Sequence, residues 1–267
     1  MTAQPPQQRY GESLYASANA DEGERLGYLA TVFDPASRAV LTGLDIPPHA
    51  TCLDVGAGTG TISTWLAAMP GGPYQVTALD RDTHFLLRSA PPNVRVLQGD
   101  VTDPGLDPGR FDLVHCRFTL MHLRERDTVL RRLVSWLRPG GLLVVSDAEA
   151  TGGEHSHHDA YRTSVQALWR NLAETIGTDP HCASRWPGAF HDLGLRDIRT
   201  AAHFPTVHTE PDCSRFTALT LREGGPAMLA DGFAPETLRD ALRHLSRPGT
   251  HEPFITMLTT WGRRPER

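Results

Sequence analysis

The stretch LDVGAGTG, residues 53–60, limits what this chain can fold into more than any other segment. It places Gly56, Gly58 and Gly60 directly after a short apolar run and before the helix-like segment TISTWLAAM. Glycine reaches backbone conformations with positive φ and lets a ligand approach the main chain closely. A strand, a glycine turn and a helix in this order predict that backbone N–H groups at the helix start face a bound ligand.

The segments after the turn alternate between short apolar runs and helix-length amphipathic stretches. The runs YQVTALD, VRVLQGD, FDLVHC and LLVVSD are separated by segments such as DTVLRRLVSWL, whose apolar residues fall on one helical stripe. This alternation predicts an α/β fold with a mostly parallel sheet and helices on both faces.

The flanking segments predict helices outside the alternating region. Before it, Asp34 and Pro35 are typical of a helix start and predict two N-terminal cap helices. After it, the loop-like AEATGGEHSHH leads into an inserted helix, DAYRTSVQALWRNLAETIG. We expect a single domain made of an N-terminal helical cap (1–48), a cofactor-binding core (49–147), a substrate-side insertion (148–190) and C-terminal strands and helices (191–267).

Three acidic residues accompany the glycine turn and the strands beside it. Asp54 lies two residues before the first glycine, Asp80 closes VTALD and Asp100 closes VRVLQGD. The carboxyl ends of parallel strands meet at the ligand-binding edge, so we expect these carboxylates to share one site. A dinucleotide turn usually reads G-x-G-x-x-G, whereas Thr61 follows the third glycine here, and Asp54 suits an ammonium better than a pyrophosphate. A nicotinamide cofactor is therefore disfavoured.

From about Thr51 to Asp147 the chain resembles the class I S-adenosylmethionine-dependent methyltransferases. The resemblance rests on the segments LDVGAGTG, ALD, GDV, FDLVHCRFTLMHL and LRPGGLLVVSD. The resemblance implies a Rossmann-like fold with a seven-stranded sheet and an antiparallel last strand, which RDIRTAAHF and PFITMLTTWG are available to complete. It also implies S-adenosylmethionine as cofactor and S-adenosylhomocysteine as product.

The same resemblance implies roles for individual residues around that cofactor. It assigns the methionyl part to Asp54, Gly56, Gly58, Gly60 and the backbone around Cys116, the ribose to Asp80, and the adenine to Asp100, Arg81 and Val101. Each acid taken alone also fits loop polarity or helix capping.

The acceptor-side candidates come from the loop after the fourth strand, the inserted helix and the N-terminal segment. His122 is the candidate catalytic base, because an imidazole accepts protons near neutral pH; the alternative is a half-buried histidine that fixes the loop. Arg117 suits a substrate carboxylate or phosphate, or a structural ion pair. Trp169 is predicted to line the substrate cavity, and Tyr15 to belong to a lid-like segment with Tyr10. For Trp169, the alternative is ordinary packing on the core face of its helix.

The charge balance and hydropathy limit the partners. The chain carries 26 basic and 31 acidic residues, a net charge of -5, which disfavours nucleic acid and anionic bilayers. No run reaches the roughly 18 apolar residues of a membrane span, and MTAQPPQQRY lacks the features of a secretory signal. We expect a soluble, cytoplasmic protein with a small-molecule substrate and no nucleic-acid or membrane partner. The N-terminal helices allow a homodimer or higher homo-oligomer.

The histidine run HSHH raises the question of a metal site. His155, His157 and His158 lie in a Gly-rich polar segment, which predicts a solvated loop, and we expect no metal. The four cysteines form no C-x-x-C pair and indicate neither a zinc site nor a dense disulfide framework.

The sequence predicts an enzyme that transfers a methyl group from S-adenosylmethionine to a small molecule, by in-line attack on the sulfonium methyl. The loop after FDLV reads HCRF rather than the D/N-P-P-Y or Pro-Cys typical of DNA methyltransferases. The composition is compatible with specialised metabolism. The alternatives on the same fold are a cyclase and a binding protein that transfers nothing. The acceptor and its reacting atom stay open.

Overall fold

A seven-stranded sheet forms the centre of the computed structural model, which describes residues 8–207 and 210–266. Its strands are β1 Thr51–Val55, β2 Gln75–Asp80, β3 Val94–Gln98, β4 Phe111–Arg117, β5 Leu137–Glu149, β6 Arg196–His203 and β7 Thr256–Arg263. They lie in the order β3-β2-β1-β4-β5-β7-β6, and β7 is antiparallel to both of its neighbours. This confirms the predicted Rossmann-like sheet. The first seven residues of MTAQPPQQRY lie outside the described residues, so its lack of a signal stays a prediction.

The helices cover both faces of this sheet. They are α1 Glu22–Thr42, α2 Thr61–Ala68, α3 Leu86–Ser89, α4 Arg126–Ser135, α5 Thr151–Glu154, α6 Asp159–Thr175, α7 Trp186–Asp192, α8 Pro211–Ala230 and α9 Pro235–Leu245. On one face Cys52 and Leu113 pack with α1 and α2, and on the other Leu53 and Val114 pack with α4 and α7. Side chains alternate across a strand, so both faces need an apolar cover. None of the described helices is long and apolar enough to cross a membrane.

A third apolar cluster lies beyond the carboxyl ends of the parallel strands. It combines side chains of α6, α8 and α9 with Tyr15 and with Phe33 of α1. Thr256, at the start of β7, pairs with Glu149 at the end of β5, which places this cluster at the sheet edge where ligands of α/β folds bind.

The prediction of two N-terminal cap helices is wrong, because α1 runs without a break through Pro35. A proline inside a helix removes one backbone hydrogen bond and is costly. Phe33 and Leu41, on either side of it, are buried against different apolar clusters, and this tertiary packing accompanies the continuous helix. Asp34 caps nothing; its carboxylate accepts a hydrogen bond from Arg117 at 2.8 Å instead.

The predicted loop AEATGGEHSHH is also more ordered than expected. β5 continues into it, α5 follows, and Nδ1 of His158 caps α6 by accepting from the Tyr161 N–H at 3.3 Å. The His158 ring stacks on His244, with 3.7 Å between centroids. Gly152 is needed there because a Cβ would lie 2.1 Å from the carbonyl oxygen of Phe254. The glycines of this segment therefore reflect close packing rather than looseness.

Candidate active site

A cavity of about 460 Å³ opens at the carboxyl ends of the parallel strands. This volume is in the range of small-molecule sites. One side, which we call the acidic half, is lined by Asp54, Gly58, Asp80, Arg81, Asp100 and Val101. The other side, the aromatic half, is lined by Tyr15, Arg25, Phe118, Tyr161, Trp169 and Phe216.

The glycine turn shapes the floor of the acidic half. Gly56, Gly58 and Gly60 all have positive φ, at 66°, 56° and 77°. A Cβ on Gly56 would lie 2.0 Å from Oγ1 of Thr119, whereas a Cβ on Gly58 would meet nothing within 4 Å. Gly56 is thus required by packing, while the space beside Gly58 is open to a ligand.

The acids at the ends of β2 and beyond β3 face this turn. Asp80 accepts hydrogen bonds from the N–H groups of Gly58 at 2.8 Å and Asp82 at 3.0 Å, and burial raises its pKa. Asp100 accepts from the Thr102 N–H at 2.8 Å and forms an ion pair with Arg9. Burial opposes ionisation of Asp100, but the Thr102 hydrogen bonds and the Arg9 charge lower its pKa overall. Both predicted acids border the cavity.

Asp54 is held by a residue that the sequence analysis missed. His115 lies opposite Asp54 in the β1–β4 register, and its Nδ1 is 2.8 Å from Oδ1 of that carboxylate. Ser63 donates to the other oxygen at 2.6 Å. Nε2 of His115 is buried and has no hydrogen-bond partner among the described residues. A histidine inside the apolar run FDLVHC was the signal that could have identified it.

Cys116 lies behind the cavity wall, while its neighbours His115 and Arg117 border the cavity. Side chains alternate along β4, so the Cys116 thiol enters the apolar cluster on the opposite face with Leu133 and Trp186. Burial raises its pKa well above the usual value. A role for the backbone around Cys116 in holding the methionyl part stays a prediction.

The N-terminal segment, residues 8–20, covers the cavity and contacts both halves. Its Tyr10 carbonyl accepts a hydrogen bond from Arg81, and the Tyr10 ring stacks on His122 with 4.2 Å between centroids. Tyr15, which has φ 59°, donates from its hydroxyl to the Thr220 carbonyl of α8 at 3.1 Å. Tyr10 and Tyr15 border the cavity, and their role as a lid stays a prediction.

The structure favours the structural alternative for Arg117. Its guanidinium donates to Asp34 at 2.8 Å and to Ser37 at 3.0 Å, both in α1. Trp169 borders the aromatic half as expected, together with Tyr161 on the same helix. The indole N–H of Trp169 is buried and has no hydrogen-bond partner among the described residues.

His122 ends a short 3₁₀ turn, Leu120–His122, and borders the cavity next to Tyr10. Its Nδ1 is 3.0 Å from the hydroxyl of Thr178. Burial, with the charges of Arg25 and Arg126, lowers its pKa to about 3. The imidazole is therefore neutral over the physiological range and serves as a hydrogen-bonding group but a weak base.

Asp147 supports this turn from within the core. Its carboxylate accepts from the Trp186 indole at 3.0 Å and from the Met121 N–H at 3.4 Å, one residue before His122. It is fully buried, and burial raises its pKa to about 7. In the sequence, this acid only marks the end of LLVVSD.

Metal-ligating side chains do not cluster in the parts of the chain that the structure describes: no group of three or more could hold an ion. His155 and His157 are exposed, and His158 serves as a helix cap. A function without metal stays a prediction.

The comparisons with known proteins point to one family. Residues 53–145 match the family described as "Methyltransferase domain". Over 145 residues the chain is 32% identical to Methyltransferase str2 of Strobilurus tenacellus, and the match covers 53% of this chain and 51% of that protein. Methyltransferase str3 of the same organism is 36% identical over 110 residues, covering 41% and 39%. The chain thus spans about half the length of these relatives, or less.

Solved structures share the fold. A phosphoethanolamine N-methyltransferase 2 of Haemonchus contortus, in complex with phosphomonomethylethanolamine and S-adenosylhomocysteine, has TM-score 0.60 and 16% identity, covering 98% of this chain and 61% of that one. The YcgJ protein of Bacillus subtilis has TM-score 0.57 and 15% identity, covering 88% and 100%. At such identities the likeness concerns the fold alone.

Proposed function

We propose that this chain, which carries a class I S-adenosylmethionine-dependent methyltransferase domain, transfers a methyl group from S-adenosylmethionine to a small-molecule acceptor. One observation carries the proposal: a single cavity joins the acidic half to the aromatic half. A methyl donor and its acceptor must meet in line within such a space, and positioning supplies much of the rate enhancement.

The acidic half fits an adenosyl donor with a charged amino-acid tail. Asp80 would accept the ribose hydroxyls, and Asp100 with Val101 would border the adenine. Asp54, kept in place by His115 and Ser63, would balance the ammonium of the tail across the glycine turn. The open space beside Gly58 leaves room for that tail.

The chain's own contribution to the transfer is orientation and the exclusion of water. When bound, the donor would supply an electrophilic sulfonium methyl. The acceptor lone pair would form the new bond, the carbon–sulfur bond electrons would stay on sulfur, and the acceptor proton would be released to water. Aromatic side chains around the acceptor keep the site dry. His122, neutral because of its low pKa, would accept a hydrogen bond from the acceptor O–H or N–H and direct its lone pair towards the methyl.

We also propose a role in specialised metabolism. The support is the composition together with the Strobilurus tenacellus relatives named above, of which the chain covers about half or less.

Calorimetry and product analysis test the proposal. We expect S-adenosylmethionine and S-adenosylhomocysteine to bind to the purified protein and NAD not to bind. With labelled donor and a panel of small acceptors, we expect labelled product and S-adenosylhomocysteine in equal amounts. Donor binding without S-adenosylhomocysteine in any reaction would favour the cyclase or binding-protein alternatives. Binding of NAD alone would contradict the assignment of the glycine turn.

A further inference from the structure

A buried ion pair lies in the wall of the aromatic half. Glu22 and Arg25, one helical turn apart in α1, have side chains that are 2% and 4% exposed. Two hydrogen bonds join them, from Nε of Arg25 at 2.7 Å and from Nη2 at 2.8 Å. Methyl transfer to a small molecule does not by itself require such a pair, and burying two charges is costly.

All the guanidinium nitrogens of Arg25 are already engaged. Nη1 donates to the hydroxyl of Thr220 at 3.4 Å, and Nη2 also donates to the hydroxyl of Tyr10. The flat guanidinium packs against the rings of Tyr15, 4.3 Å from its centroid, and of Phe216, at 5.2 Å. Arg25 therefore presents a neutralised, aromatic-covered surface to the cavity rather than an open positive charge.

The other buried or half-buried cations around the cavity are likewise engaged. Arg117 is paired with Asp34, and Arg81 donates to the Tyr10 carbonyl and pairs with Glu12 at 3.3 Å. His122 carries no charge at neutral pH. Among the described residues that line the aromatic half, we find no buried cation without an anionic partner.

We infer that the aromatic half takes an uncharged, largely apolar acceptor of aromatic character, and that Glu22, by neutralising Arg25, keeps this guanidinium from binding anionic acceptors. This inference rests on the proposed methyl transfer and names its substrate class. An anionic group entering this half would lose its water and find no unpaired buried cation among the described residues. Arg124, which also lines the cavity, is exposed and donates to the carbonyls of Glu174 and Thr175. An ammonium group would find the Glu22 carboxylate already paired with Arg25. The H. contortus protein, solved in complex with phosphomonomethylethanolamine, shares the fold but is only 16% identical.

Three naphthalenes of matched shape test this selectivity. The neutral probe is 2,6-dihydroxynaphthalene, the anionic probe is 6-hydroxy-2-naphthoate and the cationic probe is 6-(aminomethyl)-2-naphthol. Calorimetric titrations into protein saturated with S-adenosylhomocysteine should show the neutral probe binding at least about tenfold tighter than either charged probe. Equal or tighter binding of a charged probe contradicts the inference, as does a failure of the neutral probe to bind.

Glu22→Gln tests the determinant, because it leaves the Arg25 charge without its carboxylate. We expect the ratio of naphthoate to neutral-probe affinity to rise at least about tenfold. Glu24→Gln, on the exposed face of the same helix, is the matched control and should leave the ratio unchanged. An unchanged ratio in a folded Glu22→Gln protein would remove the pair as determinant.

A double variant covers the case in which Glu22→Gln does not fold. Glu22→Gln/Arg25→Met removes both charges and should keep the wild-type preference for the neutral probe. A gain in naphthoate binding by this double variant contradicts the inference. Binding of S-adenosylhomocysteine is measured first and separates the two proposals. If S-adenosylhomocysteine does not bind, the methyltransferase proposal fails; if it binds, the probe titrations test the acceptor selectivity alone.

Discussion

The two halves of the cavity are built in different ways. The acidic half comes from one stretch of chain, from Asp54 to Thr102, in which each strand ends at the same sheet edge. The aromatic half combines the N-terminal segment, α1, the loop after β4, α6, α8 and residues 254–255 before β7. The first is set by backbone geometry that recurs in consecutive strand–helix units, and the second by the packing of side chains from distant segments.

The halves also differ in how they treat charge. Asp80 and Asp100 keep carboxylate oxygens at the cavity surface, with hydrogen bonds mostly to neighbouring backbone. Glu22 and Arg25 neutralise each other in a buried ion pair. We therefore expect changes in the acidic half to alter donor binding, and changes in the aromatic half to alter acceptor choice and turnover.

Gly56→Ala should have the largest effect on the acidic half. A Cβ would clash with the Thr119 side chain, 2.0 Å away, at a backbone φ of 66°. Strained backbone and overpacking together should lower the free energy of unfolding by about 2–5 kcal/mol, measured by urea denaturation. Gly58→Ala shares the positive φ but meets open space, and should cost about 1–2 kcal/mol. Equal losses in the two variants would contradict the packing argument.

Asp147→Asn tests the buried carboxylate that supports the turn before His122. The pKa of Asp147 is raised to about 7, so the folded state binds a proton that the unfolded state has already released above pH 4. Stability from this group should fall by about 2–3 kcal/mol between pH 5 and pH 8. Urea denaturation at pH 5 and pH 8 should show this loss of unfolding free energy in the wild type and not in Asp147→Asn. Asp127→Asn, at the exposed start of α4, should behave like the wild type.

Asp80→Ala should weaken donor binding with little effect on acceptor choice. It removes a carboxylate expected to accept the ribose hydroxyls, and we expect affinity for S-adenosylmethionine to fall by about 10- to 100-fold in calorimetry. Asp103→Ala is the control, because Asp103 also accepts a backbone N–H, from Gly105 at 2.8 Å, but lies outside the cavity. Unchanged affinity would exclude Asp80 from the site.

His122→Ala should have a smaller effect, confined to turnover. We expect kcat to fall about tenfold with donor affinity kept, since a neutral imidazole orients the acceptor. Because its pKa is lowered to about 3, wild-type kcat should show no His122 titration between pH 5.5 and 8. His181→Ala, a histidine outside the cavity, is the control. A fall in rate with an apparent pKa near 6.5 that persists in Asp147→Asn would contradict the assigned environment of His122.

Prediction from the sequence was most successful where function depends on local order. The glycine turn, Asp80 and Asp100 were identified because a strand end places its own residues at the ligand edge. His115 was missed, since the face of β4 that borders the cavity is known only from the assembled sheet. The continuous α1 through Pro35 was missed because packing on both sides outweighs the local preference for a helix start.

The sequence alone determined the α/β sheet, the glycine turn and the acidic half of the cavity, since these follow from apolar periodicity and strand-end positions within one short stretch. Only the tertiary structure decided that Arg117 pairs with Asp34, that His115 holds Asp54, and that Glu22 neutralises Arg25 within the aromatic half. The Arg117–Asp34 and His115–Asp54 pairs join elements that are far apart in sequence. Glu22 and Arg25 are close in sequence, but they acquire their role only through the aromatic rings that bury them. Whether a charged side chain binds a ligand or a neighbour depends on what surrounds it in space, and local sequence does not contain that information.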